Sequence, residues 1–513
     1  MDNIRLLLLF ALAFVLLLIY QAWMEDYGTP AQTPAPQTAA PEVTPPSDLP
    51  QVTTAETPQV PAPETQPAPL PTAPPQTAPE DLITVQTDVL KAQISRRGGS
   101  LASVWLADYP ISPERPEEKF RLFKPTPPNL FIAQSGLIGS DRERAPTHEA
   151  LFHAEQTNYA LAPTEDSLAV VLTWQHPSGL EVEKRYTFHR DSYVIDLTQR
   201  VINNSAADLS VREYTQLQRT ELYDPDASRF LYTYTGAVTY SPEEKYEKIS
   251  FDDMTDSKLA RDVTGGWIAM IQHYFLAAWI PPAERTDHFY TNVLPGSRYV
   301  IGNYSPAVTV QPQSSHQFTN RLVVGPKLQN QLESVAPGLE LTVDYGWLTV
   351  LAKPIFWLLD KIHGVVGNWG WAIIILTILI KLLFYKLSET SYKSMANMRK
   401  MTPRIQALKD RYGDDKQRLN QAMMDLYKKQ KINPLGGCLP IVIQIPVFIA
   451  LYWVLLESVE LRQAPFALWI DNLSAPDPYF VLPLVMGVSM FIQQKLNPAP
   501  PDPMQAKIMM SLP

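Results

Sequence analysis

Cysteine is almost absent from this sequence, because Cys438 is the only one among 513 residues. A single cysteine excludes an intramolecular disulfide and a cysteine-based zinc site. Catalytic signatures are absent as well: the eight histidines are scattered, and there is no HExxH, Walker, GxSxG or glycine-rich dinucleotide motif. We therefore predict no catalytic residue, no metal site and no cofactor, and interpret the protein as a non-enzyme.

An excess of positive charge is also lacking, since 43 lysines and arginines stand against 52 acidic residues and the formal net charge is −9. This balance argues against a general nucleic-acid binder, and we predict no nucleic-acid specificity. The chain exceeds the size of one domain, and 45% of its residues are hydrophobic. This content is sufficient for a soluble core together with several membrane spans.

Lysine and arginine are missing from residues 28–80, which hold about a third of the chain's 48 prolines. Such a segment cannot bury a core, and we predict a disordered linker. Before it, residues 1–27 contain an apolar run behind Arg5, which is typical of a transmembrane anchor with a cytoplasmic N-terminus. A cleavable signal peptide is the alternative, although the run is long and no small-x-small cleavage site follows it.

Residues 81–343 contain short runs of period two, which indicate half-buried strands. For example, Leu90, Ala92 and Ile94 alternate with polar residues, and glycine, asparagine and proline turn signals separate the runs. No long helical pattern interrupts them, so we predict one large all-β domain, an antiparallel sandwich. The apolar stretch 266–280 is short for a membrane span and polar at its middle, which favours a buried strand pair.

The remaining sequence predicts membrane helices. Residues 344–364 cluster apolar side chains around a few charges, which is typical of an interfacial amphipathic helix; an ordinary helix packed at the domain edge is the alternative. We predict a transmembrane span at 365–387. Residues 433–513 contain two further spans, at about 435–456 and 479–496, joined by a periplasmic loop.

The segment 388–432 has a basic character that fixes the orientation of these spans. From 386 to 431, 12 lysines and arginines stand against 5 acidic residues, which places the segment in the cytoplasm. Apolar residues recur at three- and four-residue spacing on both sides of Gly413 and Asp414, which suit a helix end and a helix start. We predict a cytoplasmic helical hairpin here, because a solvated loop would explain the charge but not the spacing.

Together these features predict a polytopic α-helical membrane protein of the cell inner membrane with a large periplasmic β domain. Lys381 is a single cation inside the apolar run of the first span after that domain. A charge at mid-helix costs roughly 2.5–3.5 kcal/mol on insertion scales, so such a residue suggests a functional site. The alternative is a side chain that reaches the cytoplasmic headgroups, since Lys386 follows closely.

Other polar residues interrupt the spans at similar depth: Thr377, Gln444, Ser489 and Gln493. Individually they are weak signals, because hydroxyls and amides also join membrane helices without any further role. Together with the cation at Lys381 they predict a hydrophilic groove.

Four motifs resemble the signature of the YidC/Oxa/Alb family of membrane-protein insertases. They are Asn368–Trp371 (NWGW), Ser391–Met395 (SYKSM), Asn433–Pro440 (NPLGGCLP) and Leu461–Phe466 (LRQAPF). The similarity extends from about residue 344 to the end of the sequence. The N-terminal anchor and the periplasmic domain are similar to the Gram-negative form of the family.

This resemblance implies an insertase and chaperone for inner-membrane proteins that works without nucleotide hydrolysis. It implies a groove open to the cytoplasm and the lipid, in which Lys381 receives the polar tail of an incoming protein; many relatives carry arginine there. Ile445 and Phe448 would line the slide along which a substrate helix leaves. The periplasmic domain would be a β-supersandwich similar to sugar-binding folds, and no sugar function follows from that likeness.

The implied partners are nascent inner-membrane proteins and the lipid bilayer, with the ribosome and the Sec translocon as further expected partners. Because the family shares five core spans, we expect a truncated next span to start near Ile508 and the closing spans to be missing. Two other functions remain open: a secondary transporter or channel, and a carbohydrate-binding module on a membrane anchor. The sequence has no inverted repeat or broken-helix pair that favours the transporter.

Overall fold

The alternating segments in the first half of the chain form β-strands, each with an apolar face turned inward. A computed structural model describes residues 81–139, 145–223, 233–413, 415–430 and 439–496. The predicted anchor at 1–27 and the predicted linker at 28–80 lie outside the described residues.

The described strands belong to the region from 82 to 326. They are β1 (Leu82–Gln86), β2 (Leu90–Ser95), β3 (Ser100–Ser112), β4 (Arg115–Phe123), β5 (Phe131–Gly139), β6 (His153–Ala154), β7 (Asn158–Ala160), β8 (Ser167–Gln175), β9 (Leu180–His189), β10 (Val194–Asn203), β11 (Leu209–Thr220), β12 (Gly236–Ser241), β13 (Lys245–Ile249), β14 (Ala260–Thr264), β15 (Trp267–Gln272), β16 (Phe275–Ile280), β17 (Thr286–Leu294), β18 (Arg298–Tyr304), β19 (Val308–Val310) and β20 (Ser314–Pro326). In β2, Leu90, Ala92 and Ile94 are buried and Lys91 is exposed, so the period-two prediction is confirmed there.

The described helices follow these strands, apart from one short helix between β13 and β14. They are α1 (Phe251–Asp256), α2 (Gln329–Val335), α3 (Thr349–Val366), α4 (Trp369–Leu383), α5 (Tyr385–Tyr412), α6 (Lys416–Lys429), α7 (Leu439–Glu457) and α8 (Val481–Leu496).

The strands form two sheets that share one hydrophobic core. The first sheet has the order β14-β17-β18-β11-β5-β3-β2-β1-β7, with β19 on β11 and β4 on β3, and the second has the order β13-β12-β15-β16-β20-β10-β9-β8-β6. Among the described strands every named pair is antiparallel except β1 and β7, which run parallel from Thr84 and Asn158 onward. The prediction of a large β domain is confirmed, and the purely antiparallel sandwich is wrong at this one edge.

β15 and β16 occupy the apolar stretch that resembles a membrane span, and they pair as an antiparallel hairpin. Ile268 and Met270 face the core between the sheets, whereas Trp267 and Ala269 face a second cluster that includes Leu332 of α2. Strands that are buried on both faces carry continuous hydrophobic runs instead of alternating ones. The predicted buried strand pair is therefore confirmed.

α3, α4 and α7 pack around a separate helical core. On α4, the buried residues Ala372, Leu376 and Ile380 recur every four positions, which places them on one face of the helix. α3 buries Ala352, Phe356 and Leu359 in the same core, and its opposite side exposes large apolar residues, among them Val350 and Trp357. α3 thus presents both a packed face and an exposed apolar face.

α4 ends at Leu383, four residues before the predicted end of the span at 387, and α5 begins at Tyr385. Within the described residues no single helix combines the length and the hydropathy of a membrane span. One pair of consecutive helical segments, Trp369–Leu383 and Tyr385–Ser394, satisfies both criteria when taken together. The two segments are bent by 59° relative to each other.

α5 and α6 run through the basic segment and pack on each other through a thin seam in which Ile405 is buried and Leu419 is half-buried. Asp415 caps α6, because its carboxylate accepts hydrogen bonds from the backbone N–H groups of Gln417 and Arg418. The predicted cap residue, Asp414, lies outside the described residues. Gly413 is the C-cap residue of α5, so the predicted helix end is confirmed, and its backbone is in the right-handed helical conformation.

The loop after α7 joins the helical part to the β domain. The Arg462 guanidinium donates a hydrogen bond to the Pro110 carbonyl at 2.9 Å, and the Gln463 amide donates to Pro110 and Ile111 at 3.1 Å each. The His273 ring donates to the Leu456 carbonyl at 2.9 Å. These contacts hold the end of β3 against the loop after α7, and the β15–β16 turn against the end of α7.

Candidate functional site

The start of α4 is fixed by Asn368. Its side-chain oxygen accepts from the Trp371 N–H at 3.1 Å, which is an N-cap, and its amide nitrogen donates to the Phe466 carbonyl at 3.0 Å. One side chain therefore both begins the helix and ties it to the loop after α7. The NWGW and LRQAPF motifs meet at this point.

Gly370 allows a second close contact at the same junction. A Cβ atom at this position would overlap the Phe466 ring, and Trp371 packs edge-on against that ring with centroids 5.5 Å apart. Only glycine lets the loop approach α4 this closely. Sequence reasoning did not identify this contact, because the two motifs lie almost a hundred residues apart.

Lys381 lies at the opposite end of α4, in its last turn, where the negative end of the helix dipole favours a cation. Its side chain is exposed, and the ammonium nitrogen lies 4.7 Å from the centroid of the Phe448 ring on α7. This is a cation–π contact. Among the described residues Lys381 has no hydrogen bond and no carboxylate partner. The predicted groove cation and the predicted slide residue are thus neighbours.

α7 presents an open cleft of about 330 Å³ beside this contact. Gln444, Ile445, Phe448, Ile449 and Tyr452 line it. The predicted slide residue Ile445 is 49% exposed in this cleft. The Gln444 amide nitrogen is buried and has no hydrogen-bond partner within the described part of the chain. A mainly apolar wall therefore contains one donor that needs an acceptor.

The structure gives less information about the other predicted groove residues, Thr377, Ser489 and Gln493. The Thr377 hydroxyl donates to the Ile373 carbonyl at 2.8 Å, and the Ser489 hydroxyl donates to Met486 at 2.8 Å. Both hydroxyls are thus satisfied within their own helices. Ser489 and Gln493 are exposed on α8, and the helical core contains no residue of that helix. The structure brings together Lys381, Phe448, Gln444 and Ile445, and a groove that includes α8 stays a prediction.

The described residues of this region include no candidate metal-binding site. In the described ranges, no group of three or more histidine, cysteine or acidic side chains is placed to hold a metal ion.

Comparison with known proteins identifies the family. The family model of the YidC periplasmic domain matches residues 82–358, and that of the 60Kd inner membrane protein matches residues 361–513. The membrane protein insertase YidC of Alkalilimnicola ehrlichii is 53% identical over 516 residues, and that of Methylococcus capsulatus is 51% identical over 514. Both alignments cover 100% of this chain, and they cover 90% and 92% of the two relatives respectively.

Solved structures with a similar fold cover about half of this chain. A galactose mutarotase related enzyme from Lactobacillus acidophilus aligns with 47% of this chain and 97% of its own, with 13% identity and a TM-score of 0.34. A likeness at this level supports no inference about sugar chemistry. The full-length relatives and the two family models are decisive: the chain belongs to the YidC family of membrane protein insertases, inner-membrane proteins with a periplasmic domain.

Proposed function

We propose that this chain inserts inner-membrane proteins into the bilayer and helps them fold, using the surface around Lys381 and Phe448 to receive the polar tail of a client. One observation carries the proposal: an exposed lysine lies on an apolar helical surface and has an aromatic face, but no acid, as its described neighbour. An anionic or polar tail that leaves water is attracted to such a cation, more strongly as the surroundings become less polar.

The contacts at the two ends of α4 support a direction for the proposed groove. At Asn368 the helix is tied to the loop after α7, and Arg462 of that loop is tied to the β domain. Lys381 lies at the other end, away from these contacts. A groove open to the cytoplasm and to the lipid, and closed toward the periplasm, is consistent with this arrangement.

The wider topology belongs to the same proposal. Residues 1–27 form an anchor, residues 28–80 a spacer, the β domain lies in the periplasm, and α3 lies at the interface. α4, α7 and α8 cross the membrane, and α5 with α6 projects into the cytoplasm. The positive charge of α5 and α6 supports contacts with the ribosome or with nascent clients, and the Sec translocon is a further partner.

Insertion without nucleotide hydrolysis is part of the proposal, because the sequence has no Walker motif and no glycine-rich dinucleotide motif. The free energy would come from burial of the client's apolar helix in the bilayer, at about 25 cal/mol per Å² of apolar surface. The protein then has only to lower the cost of moving the polar tail.

Reconstitution into liposomes without any solute gradient tests this function. A single-span client should become protected from external protease when the protein is present, and Lys381→Ala should reduce that protection. Lys386→Ala is the matched control, because Lys386 is nearby but pairs with Glu389 at 3.3 Å. Protection that requires an ion or solute gradient, or no protection at all, would contradict an insertase and favour a transporter.

A further inference from the structure

A second cleft, of about 360 Å³, lies where the β domain meets the loop after α7. Its lining comes from β4 and the residues after it, the end of β11, the β15–β16 turn and the loop itself. Four cationic side chains line it: Arg121, Lys124, Arg219 and Arg462. We call this cavity the basic cleft. It is separate from the surface around Lys381.

Among the described lining residues of the basic cleft, no aspartate or glutamate balances these charges. Arg219 donates to the Gln272 side-chain oxygen at 3.1 Å, Arg121 donates to the Ser103 hydroxyl at 2.6 Å, and Arg462 donates to a backbone carbonyl. These partners are all neutral, so they orient the guanidinium groups without compensating their charge.

Burial makes this excess of charge costly. Arg219 is only 2% exposed, and its burial lowers the pKa of its guanidinium to about 10. Burial also lowers the pKa of Lys124, and the nearby charge of Arg121 lowers it further. Like charges held together in a partly dry cavity repel one another, and a bound anion would offset that repulsion.

The walls and the mouth of the basic cleft restrict the kind of anion. Phe120 and Phe275 stack with centroids 4.3 Å apart and lie under the Arg462 guanidinium. Leu222 and Tyr223 also line the cleft and are 44% and 63% exposed. The ligand therefore meets apolar surface as well as charge, in a volume suited to a small molecule rather than to an extended peptide.

We propose that the basic cleft binds a phosphate group carried on a small organic body, either as a free phosphate ester or as the headgroup of an anionic lipid. Phosphate fits better than a carboxylate because it brings up to two negative charges and several acceptor oxygens to the forked guanidinium groups. The site lies beside the end of α7, where the helical part meets the β domain. The phosphate therefore has two candidate sources, a lipid headgroup and a soluble ester, which the experiments below distinguish. The proposal does not depend on the role of Lys381.

Calorimetric titration of the full chain in phosphatidylcholine nanodiscs tests it, with glycerol 3-phosphate and inorganic phosphate as probes. Lys124→Gln should weaken binding roughly tenfold, the size expected for one charge-assisted hydrogen bond, and Arg121→Gln/Lys124→Gln should abolish it. Lys245→Gln is the control, because it removes an exposed cation that bonds to the Pro242 carbonyl outside the cleft. Thermal unfolding of each variant shows whether the fold is kept.

A second experiment, with anionic lipid, distinguishes the two sources of phosphate. Nanodiscs that contain phosphatidylglycerol are analysed by native mass spectrometry, which counts the anionic lipids that stay bound to the chain. Binding of the soluble esters supports a free ligand; retention of phosphatidylglycerol that is lost in the double variant supports a headgroup site.

The proposal is overturned if neither soluble probe binds and no phosphatidylglycerol is retained. It is also overturned if the double variant binds the probes and retains the lipid as well as the unmodified chain does. It is also wrong if an acidic peptide binds at the cleft and the phosphate probes do not. Asp224 and Asp226 follow the lining residue Tyr223 in the sequence. If phosphate binds only after both are changed to asparagine, the chain neutralises the cleft itself and the proposal fails.

Discussion

Lys184 in the β domain and Lys381 in the helical part are the same residue type in opposite surroundings. Lys184 is completely buried, and its ammonium nitrogen donates to the Gly98 carbonyl at 2.6 Å and to two oxygens of Ser135 at 2.9 and 3.0 Å. Lys381 is exposed and faces an aromatic ring. The first lysine ties β9 to β5 and to the turn between β2 and β3. The second has its hydrogen-bonding capacity unused among the described residues.

The same contrast extends to the other charges of the two regions. In the β domain, Arg285 forms ion pairs with Asp287 at 2.6 Å and with Glu213 at 3.3 Å, and all three side chains are mostly or fully buried. Such networks fix one arrangement of the strands, because any change leaves a buried group without a partner. We infer that the β domain uses charge to fix its structure and that the helical part keeps charge available for a client.

Removal of the Lys184 side chain should give the largest loss of stability. Lys184→Ala leaves a cavity and three unpaired acceptors, and we expect a loss of about 3–5 kcal/mol. Lys184→Met keeps most of the volume and should cost less. Denaturant unfolding of the full chain in detergent, with hydrogen exchange at β9, measures both. Equal and small losses would show that Lys184 is not a structural residue.

The pH dependence of stability sharpens this contrast. Burial lowers the pKa of Lys184 from 10.5 to about 7 in the folded protein, so the unfolded chain binds more protons between these values. The contribution of Lys184 to stability should therefore rise from pH 7 to pH 10.5 and fall as the pH decreases through 7. Lys184→Met should remove this rise, and an unchanged pH profile in that variant would contradict the assignment.

Gly370→Ala should cause the next largest loss of stability. The added methyl group overlaps the Phe466 ring, and we expect a cost of about 1–3 kcal/mol for overpacking at the start of α4. Phe466→Leu should be milder alone and should rescue part of the loss in the double variant. Thermal unfolding of the four proteins measures this coupling, and strictly additive losses would argue against the contact.

Arg462→Gln should cause a smaller loss of stability that is confined to its surroundings. The change removes a hydrogen bond to Pro110 and the stacking on Phe120, and we expect about 1–2 kcal/mol less protection where the β domain meets the loop. Hydrogen exchange at the end of β3 is the measurement. Arg185→Gln, which affects an exposed arginine on β9, should leave those amides unchanged.

Local patterns predicted those elements of the fold whose residues follow a single period. The alternation at Leu90, Ala92 and Ile94 depends on one strand and one core, and the spacing around Ile405 depends on one helical seam. Contacts between segments that are far apart in the sequence leave no such periodic pattern. The Asn368 bond to Phe466 joins residues 98 positions apart, and only the resemblance drew attention to both motifs.

The candidate site was predicted in part for the same reason. A cation in an apolar run identifies Lys381 from the sequence, but its position over Phe448 depends on how α4 packs against α7. The end of α4 at Leu383 could not be predicted, because the apolar run continues without a glycine or a proline at the bend.

The most direct test of the central claim is the insertion of two clients that differ only in the charge of the translocated tail. If Lys381 provides an available cation, Lys381→Arg should insert both clients normally, and Lys381→Ala should impair the acidic tail more than the neutral one. Lys381→Glu should impair the acidic tail most strongly, because like charges repel in a groove of low polarity. Equal insertion of both tails by Lys381→Glu and by the unmodified protein would contradict the account.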